Sequence, residues 1–364
     1  MLVCVKETYL DRQARLRATL TEVGVDVAMI PPSGDLTYLT GLQMHLSERL
    51  TLLVLPAVGE PVLVLPAFEA SRVPAWLSTA TWTEDQDPLP VLLAQLGAGV
   101  RTVAFGERVA AGELLGVVKA RPDLEPLALE RVTGGVRAVK SAAEVSALRG
   151  AAAATDRAFA ALLEQPMEGV TERELSGRLA AALRGEGLED VFATCASGPN
   201  AAYPHHTPGD RVVQRGDGVL FDFGGRYGGY LSDVTRTVAV GHAPAKLVQV
   251  HAAVAAAHTA GLNALRPGVR LGDVDAAARS SLTAAGLAEY FTHRLGHGLG
   301  LEIHEPPYLT GGNDQVAVAG NVVTVEPGVY ITGELGVRIE DDVLVTEDGC
   351  ELLTHAPREL LVVD

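Results

Sequence analysis

The sequence predicts a protein of two domains, α/β in the first and α+β in the second, with the second built as an internal repeat. Three observations lead there. Residues 1–135 alternate helix-like and strand-like segments, the signature of an α/β domain. Residues 136–364 carry the same glycine and helix punctuation twice. Each half of that repeat also sets two acids in short apolar or glycine-rich phrases.

In the first domain an amphipathic stretch near 12–23 precedes strand-like runs at 25–30 and 51–55. A third run, 61–65, follows the turn-forming Val58-Gly59-Glu60. A further strand is expected at 100–105 and a helix at 110–119. Thr133-Gly134-Gly135 is read as the break that ends the domain. Ser141-x-x-Glu144 then forms a capping box for a long alanine-rich helix, and Thr171-x-x-Glu174 a second box for a helix to about Arg184.

From there the chain repeats. Gly169-Val170 is matched by Gly268-Val269 at a shift of 99, as Gly187-Leu188 and Phe192 are by Gly286-Leu287 and Phe291. Gly216, six residues before Asp222, is matched by Gly320, six before Glu326, at a shift of 104. Two copies of this length are too few and too long for a solenoid. Copies related by a pseudo-twofold axis bring Asp222 and Glu326 to equivalent points beside one cleft.

Composition narrows the function. Lys and Arg number 29 against 45 Asp and Glu, a net charge of −16. Such a surface repels phosphate backbones and anionic lipids, so no nucleic-acid or membrane partner is expected. The three cysteines, Cys4, Cys195 and Cys350, form no Cys-x-x-Cys pair, which fits a reducing compartment rather than a disulfide framework. The opening residues turn polar too early for a signal peptide, and no apolar run is long enough to span a bilayer. A cytoplasmic location is expected.

The acids carry the chemistry. Asp222 lies in Phe221-Asp222-Phe223-Gly224 and Asp233 in Ser232-Asp233-Val234-Thr235-Arg236. Glu326 lies in Val325-Glu326-Pro327-Gly328 and Glu340 in Val337-Arg338-Ile339-Glu340-Asp341. Carboxylates in such runs are costly to bury without compensating charge. Two hairpins with inward-facing acids would bring four carboxylates to one point, enough for a pair of cations roughly 3.5–4 Å apart. His297, in Leu295-Gly296-His297-Gly298-Leu299-Gly300, supplies an imidazole. This donor set favours Mn, with Co or Zn as alternatives, and disfavours copper or iron–sulfur.

His293-x-x-x-His297 lacks the glutamate of a zincin helix and is too glycine-rich to be one. The alternating glycines suit an extended strand whose backbone approaches the site closely. His205 or His206, His304 and His293 are further candidates, whereas His242, His251, His258 and His355 are read as surface or packing residues.

In these phrases and this order, the five ligand candidates resemble the pita-bread metallopeptidases, and within them the Xaa-Pro peptidases, prolidase and aminopeptidase P. Pro204-His205, Glu302-Ile303-His304-Glu305, Glu326-Pro327-Gly328 and Val337-Arg338-Ile339-Glu340-Asp341-Asp342 carry the likeness over roughly 140–360. Tyr38-Leu39-Thr40-Gly41 gives a looser likeness to a creatinase-type N-terminal domain. The resemblance implies a pita-bread catalytic domain over 136–364 behind a creatinase-like domain over 1–135. It implies two divalent metals: Asp222 on one, His297 and Glu326 on the other, and Asp233 and Glu340 bridging. Water activated between them would attack the carbonyl before proline, with Glu326 moving the proton and His205 and His304 stabilising the tetrahedral species. Arg338 would hold the Glu340 side of the site. Xaa-Pro dipeptides or short proline-containing peptides are the expected substrates, and a homodimer the expected assembly.

Many prolidases carry an Arg shortly after the His-Glu pair, where Pro306-Pro307 here leads to Tyr308. Arg49 is then the candidate cation for a dipeptide's carboxylate. The expectation is a prolidase, with aminopeptidase P as the alternative. A creatinase-like amidino hydrolase or a binding protein without activity are more distant readings, disfavoured by the complete ligand set.

Overall fold

The computed structural model describes residues 3–364, apart from the side chains of 3–7 and 132–134, so the reading of Cys4 falls outside the described side chains. The chain divides into two compact units, one ending at Arg137 and the other spanning Ala138–Asp364. No helix among the described residues is long and apolar enough to cross a membrane.

The first unit runs α1 (Val3–Val23), β1 (Val27–Ile30), α2 (Gly34–Thr40), β2 (Leu52–Pro56), β3 (Val62–Pro66) and β4 (Ser78–Trp82). It continues with α3 (Pro88–Leu93), β5 (Thr102–Phe105), α4 (Ala111–Ala120), β6 (Glu125–Ala128) and α5 (Glu130–Ala138). The six strands form one mixed sheet in the order β4-β3-β2-β1-β5-β6. Its central strands β1 and β2 are buried along most of their length, which is why they read as continuous apolar runs. The break expected at Thr133-Gly134-Gly135 is absent: α5 passes through it. Two glycines cost a helix about 2 kcal/mol. Its last turn is held instead by tertiary contacts, the Tyr38 hydroxyl on the Val136 carbonyl at 3.3 Å and Arg137 on Asp35 at 3.3 Å.

The second unit opens with α6 (Ala142–Leu163) and α7 (Glu172–Gly185). The Ser141–Glu144 box forms in both directions, whereas at Thr171 the side chain accepts from Glu174 N. Then come β7 (Glu189–Ser197), β8 (Gly218–Tyr227) and β9 (Tyr230–Val240), followed by α8 (Ala245–Ala264) and α9 (Leu271–Ala284). The remaining strands are β10 (Gly296–Gly298), β11 (Glu305–Leu309), β12 (Val322–Val325), β13 (Gly328–Ile331), β14 (Leu335–Arg338), β15 (Asp341–Val345), β16 (Cys350–Leu352) and β17 (Val362–Val363).

Each half has its own core. Phe159 of α6 packs on Phe221 and Phe223 of β8, with ring centroids 6.0 and 4.8 Å away. Fully burying each such side chain stabilises by about 1.5–3 kcal/mol. Strand alternation then turns Asp222, between the two phenylalanines, to the opposite face. In the second half Val254 and Ala257 of α8 and Ala278 of α9 pack with Val323, Val325 and Val343 of the sheet.

The repeat is real in backbone detail. The matched glycines all have positive φ: Gly169 +80° and Gly268 +82°, Gly187 +85° and Gly286 +71°, Gly216 +91° and Gly320 +91°. Thr171 bridges to Val212 as Arg270 bridges to Val316. Gly169 N bonds Val213 O at 2.9 Å as Gly268 N bonds Ala317 O at 2.9 Å.

The hairpins differ from expectation in one respect. β8 and β9 are joined by Gly228-Gly229 alone, with φ of +58° and +90°, the turn that suits strand twist. In the second half the equivalent hairpin is bent in both arms. β12 pairs with β15, β13 pairs with β14, and Glu326 and Glu340 sit at the two bends. Glu340 therefore stands where Thr235, not Asp233, stands in the first half, at a shift of 105.

Candidate active site

The four acids come together because strand register puts them on one side. Asp222 pairs across β8–β9 with Thr235, and Asp233 with Gly224, so Asp222, Asp233 and Thr235 share a face. Glu340 joins from the other half through an isolated bridge to Thr235, its N–H donating to Thr235 O at 3.1 Å. Glu326 follows directly on β12, and its N–H donates to Leu295 O at 2.8 Å, which ties it to the His297 segment.

That segment forms strand β10, as its glycines suggested. A Cβ on Gly296 would lie 1.9 Å from Thr324 O, and one on Gly298 2.4 Å from Glu305 O. Only glycine admits so close an approach. His297 is thereby set among the acids, Nε2 lying 3.3 Å from Glu326 Oε1 and 3.7 Å from Asp233 Oδ2. Its Nδ1 is 3.0 Å from Gly298 O, a bond that makes Nδ1 the donor and leaves the Nε2 lone pair facing the carboxylates.

Three groups of donor atoms, each within 4.8 Å, result: Asp222, Asp233 and Glu340; His297, Glu326 and Glu340; and Asp233, His297 and His304. Burial, together with the neighbouring carboxylates, pushes Asp233 and Glu326 well above the ordinary carboxyl range and Glu340 up to about 7, against the opposing pull of Arg338 on the two glutamates. Burial, then the adjacent His304, pulls His297 down to about 3. Acids that repel each other in a buried site beside an imidazole lone pair fit divalent cations, whose charge offsets that repulsion.

A cavity of about 570 Å³ opens above these groups. His205, His293, His304 and Arg338 line it with the five ligand candidates. The rings of His297 and His304 meet edge-on at 4.1 Å. Arg338 is buried and makes three bonds: Nη2 to Asp222 Oδ2 at 2.6 Å, Nε to Thr235 Oγ1 at 2.8 Å and Nη1 to Tyr330 OH at 3.0 Å. It therefore holds Asp222 directly and reaches Glu340 through Thr235, whose hydroxyl donates to Glu340 Oε2 at 2.6 Å. Its Nε is also within ion-pair reach of Glu340 Oε2 at 3.9 Å, so Arg338 serves the Asp222 side as well as the expected Glu340 side.

Two candidates lie outside this cavity lining. Tyr308 is opposite His297 across β10–β11, with the Arg294 guanidinium 4.3 Å from its ring centroid. Arg49 belongs to the first unit, where it pairs with Glu84 at 2.8 Å and Glu48 at 2.5 Å. Of the adjacent histidines, His205 lines the cavity and His206 turns away to Glu172 at 2.8 Å.

Sequence reasoning missed Tyr330, Arg294 and Tyr203. Tyr330 OH bonds His293 Nε2 at 2.9 Å, and burial raises its pKa to about 12. His293 is held near 4, by burial and then by Arg338. Tyr203 and Arg294 line the cavity. The available signal was proximity: Tyr330 follows Glu326 by four residues, Arg294 precedes His297 by three, and Tyr203 precedes His205 by two.

With this geometry in hand, the chain matches the model of metallopeptidase family M24 over residues 146–347 and that of the creatinase/prolidase N-terminal domain over 12–139. It is 41% identical to a probable dipeptidase PepE of Mycobacterium bovis, over 98% of this chain and 97% of that protein. Its structure is similar to that of a prolidase from Thermococcus sibiricus, with a TM-score of 0.92 at 33% identity, covering 98% and 99% of the two chains. It is also similar to an X-Pro aminopeptidase from Thermotoga maritima, with a TM-score of 0.84 at 31% identity, covering 96% and 99%.

Proposed function

The chain belongs to metallopeptidase family M24, and from that premise we propose that it is a prolidase, hydrolysing the bond before proline in Xaa-Pro dipeptides with two divalent cations. The observation that carries the proposal is the convergence of Asp222, Asp233, His297, Glu326 and Glu340 at one cavity. Asp222, Asp233, His297, Glu326 and Glu340 would hold the cations between them, with Asp222 on one side of the cluster and His297 and Glu326 on the other. Asp233, Glu340 and His297 each fall in two of the three donor groups, which links the five residues into one cluster. The cations supply Lewis acidity, lowering the pKa of water and polarising the scissile carbonyl. Mn suits the oxygen-rich set best, with Co or Zn as alternatives.

The chain's own groups do the rest. Glu326 takes the proton lost by the attacking water and passes it to the leaving prolyl nitrogen. His205 and His304 orient the peptide and donate hydrogen bonds to the tetrahedral species. Arg338 fixes Asp222, Thr235 and Tyr330 in one arrangement, and through Tyr330 it fixes His293. A homodimer in the cytoplasm, from the family resemblance and the composition, completes the proposal.

Dipeptide selectivity needs a cation for the substrate carboxylate. Arg49 is the proposed one, and Arg294, stacked on Tyr308 and lining the cavity, is the other to be tested. Tyr308, at the place where many prolidases carry Arg, favours the second reading, an aminopeptidase P. Turnover of Xaa-Pro dipeptides alongside Xaa-Pro-Xaa tripeptides separates the two.

A further inference from the structure

We propose that Glu172 is a positioning residue for the loop that presents Tyr203 and His205 to the active-site cavity, acting through His206, Asn200 and Ser197. The proposal rests on the reading above, in which His205 meets the substrate.

Glu172 is the first residue of α7, and its side chain is 0% exposed. Its carboxylate collects bonds from the end of β7 and from the first part of the β7–β8 connection, as far as Gly209. Oε1 accepts from Ser197 N and Ser197 Oγ, both at 2.8 Å, and from Asn200 Nδ2 at 3.0 Å. Oε2 lies 2.8 Å from His206 Nε2 and 3.3 Å from Gly209 N. Burial alone would raise its pKa, but the bonds from His206, Ser197 and Asn200 outweigh that and hold it below the ordinary value. Ser197 Oγ also accepts from Arg211 Nη1 at 2.6 Å, and the same guanidinium forks onto Asp217 at 2.6 and 3.0 Å.

The loop is shaped so that neighbouring imidazoles take opposite duties. His206 N donates to Tyr203 O at 3.1 Å, closing a turn with Pro204 and His205 at its tip. His205 borders the cavity while His206 reaches back to Glu172. The turn is thus clamped beside the residue it presents.

The repeat shows that the fold itself does not ask for a carboxylate here. At the shift of 99, Glu172 corresponds to Leu271, which opens α9 and is 1% exposed. The backbone does the same work at both places, Glu172 N bonding Arg211 O at 3.0 Å and Leu271 N bonding Gln315 O at 2.8 Å. An apolar residue satisfies the second half. Burying an acid in the first is costly unless its bonds serve the loop. That loop carries cavity-lining residues.

A double-mutant cycle tests the assignment. Glu172→Gln and His206→Gln, each alone and each combined with His205→Ala, are assayed for kcat and KM on Ala-Pro with Mn. Hydrogen exchange of a peptide spanning 203–206 is measured in parallel. The Gln variants should lose about 10–100-fold in kcat/KM, exchange faster at 203–206, and add nothing to the loss of His205→Ala alone. His206→Gln, at a part-buried ring on the loop rather than at the buried carboxylate, keeps the cycle available where Glu172→Gln does not fold. Additive losses, or a His205→Ala variant as active as the parent, would overturn the proposal. Should the parent not cleave Ala-Pro, the prolidase reading falls, and exchange alone then decides: unchanged protection at 203–206 removes the positioning role.

Discussion

Thr235 and Glu340 occupy equivalent positions in the two halves and pair with each other directly. Glu340 N–H donates to Thr235 O at 3.1 Å, and the Thr235 hydroxyl donates to Glu340 Oε2 at 2.6 Å while accepting from Arg338 Nε at 2.8 Å. One hydroxyl therefore joins the two halves, orients an acid and seats the arginine that holds Asp222. Replacing Thr235 by Val keeps the shape and removes both side-chain bonds. Loss of such an outer partner weakens metal binding by roughly 10–100-fold, which titration of Mn into metal-free protein will measure. Unchanged affinity would mean that Glu340 needs no orienting partner.

Cations should stabilise the protein as well as activate it. Asp233, Glu326 and Glu340 are buried and mutually repulsive, so metal bound to the folded chain relieves a cost the unfolded chain does not have. At a hundredfold excess over Kd the gain is ~2.7 kcal/mol. At ~2–4 °C per kcal/mol for a unit of this size, Tm should rise by about 5–10 °C on adding Mn. Glu340→Gln should abolish most of that rise in a thermal melt.

Carboxylate recognition is tested at Arg49. Replacing it with Ala should lower the preference for Ala-Pro over Ala-Pro-Ala by about tenfold, the worth of one charge-assisted bond of ~1.5 kcal/mol. An unchanged ratio transfers the role to Arg294, and Arg294→Ala should then shift it.

His251, buried on α8, predicts an acid sensitivity unrelated to catalysis. Burial, then Arg236, lowers its pKa from 6.5 to about 4. The neutral ring is thus favoured in the folded state, so its contribution is present above pH 6.5 and lost as pH falls towards 4, in all about 3 kcal/mol. Urea unfolding at pH 7.5, 5.5 and 4.5 should show His251→Gln losing less stability than the parent over that range.

Much of this was legible in the sequence, for identifiable reasons. The capping box at Ser141, the paired glycines of the repeat and the glycines around His297 are local devices, and each works by backbone geometry that one residue type dictates. The acids stood out because their neighbours are apolar. What escaped depends on contacts between distant segments. Tyr330 acquires its place from His293 and Arg338, and Glu172 from a loop some thirty residues on. The repeat also misled in one place. It suggested a second plain hairpin for Glu326 and Glu340, whereas that hairpin is bent and puts Glu340 opposite Thr235. The strength of Glu172 as a signal lay in the same repeat, as a charged residue whose counterpart is Leu271.

The central claim, that five side chains hold cations for cleavage before proline, meets its most direct test in one assay. The protein is exhaustively chelated, and hydrolysis of Ala-Pro, Ala-Pro-Ala and Met-Ala-Ala is followed before and after adding Mn. The account predicts no turnover without metal, restored cleavage of Ala-Pro above Ala-Pro-Ala with Mn, and none of Met-Ala-Ala. Undiminished hydrolysis after chelation, or cleavage of Met-Ala-Ala in preference to Ala-Pro, would contradict it.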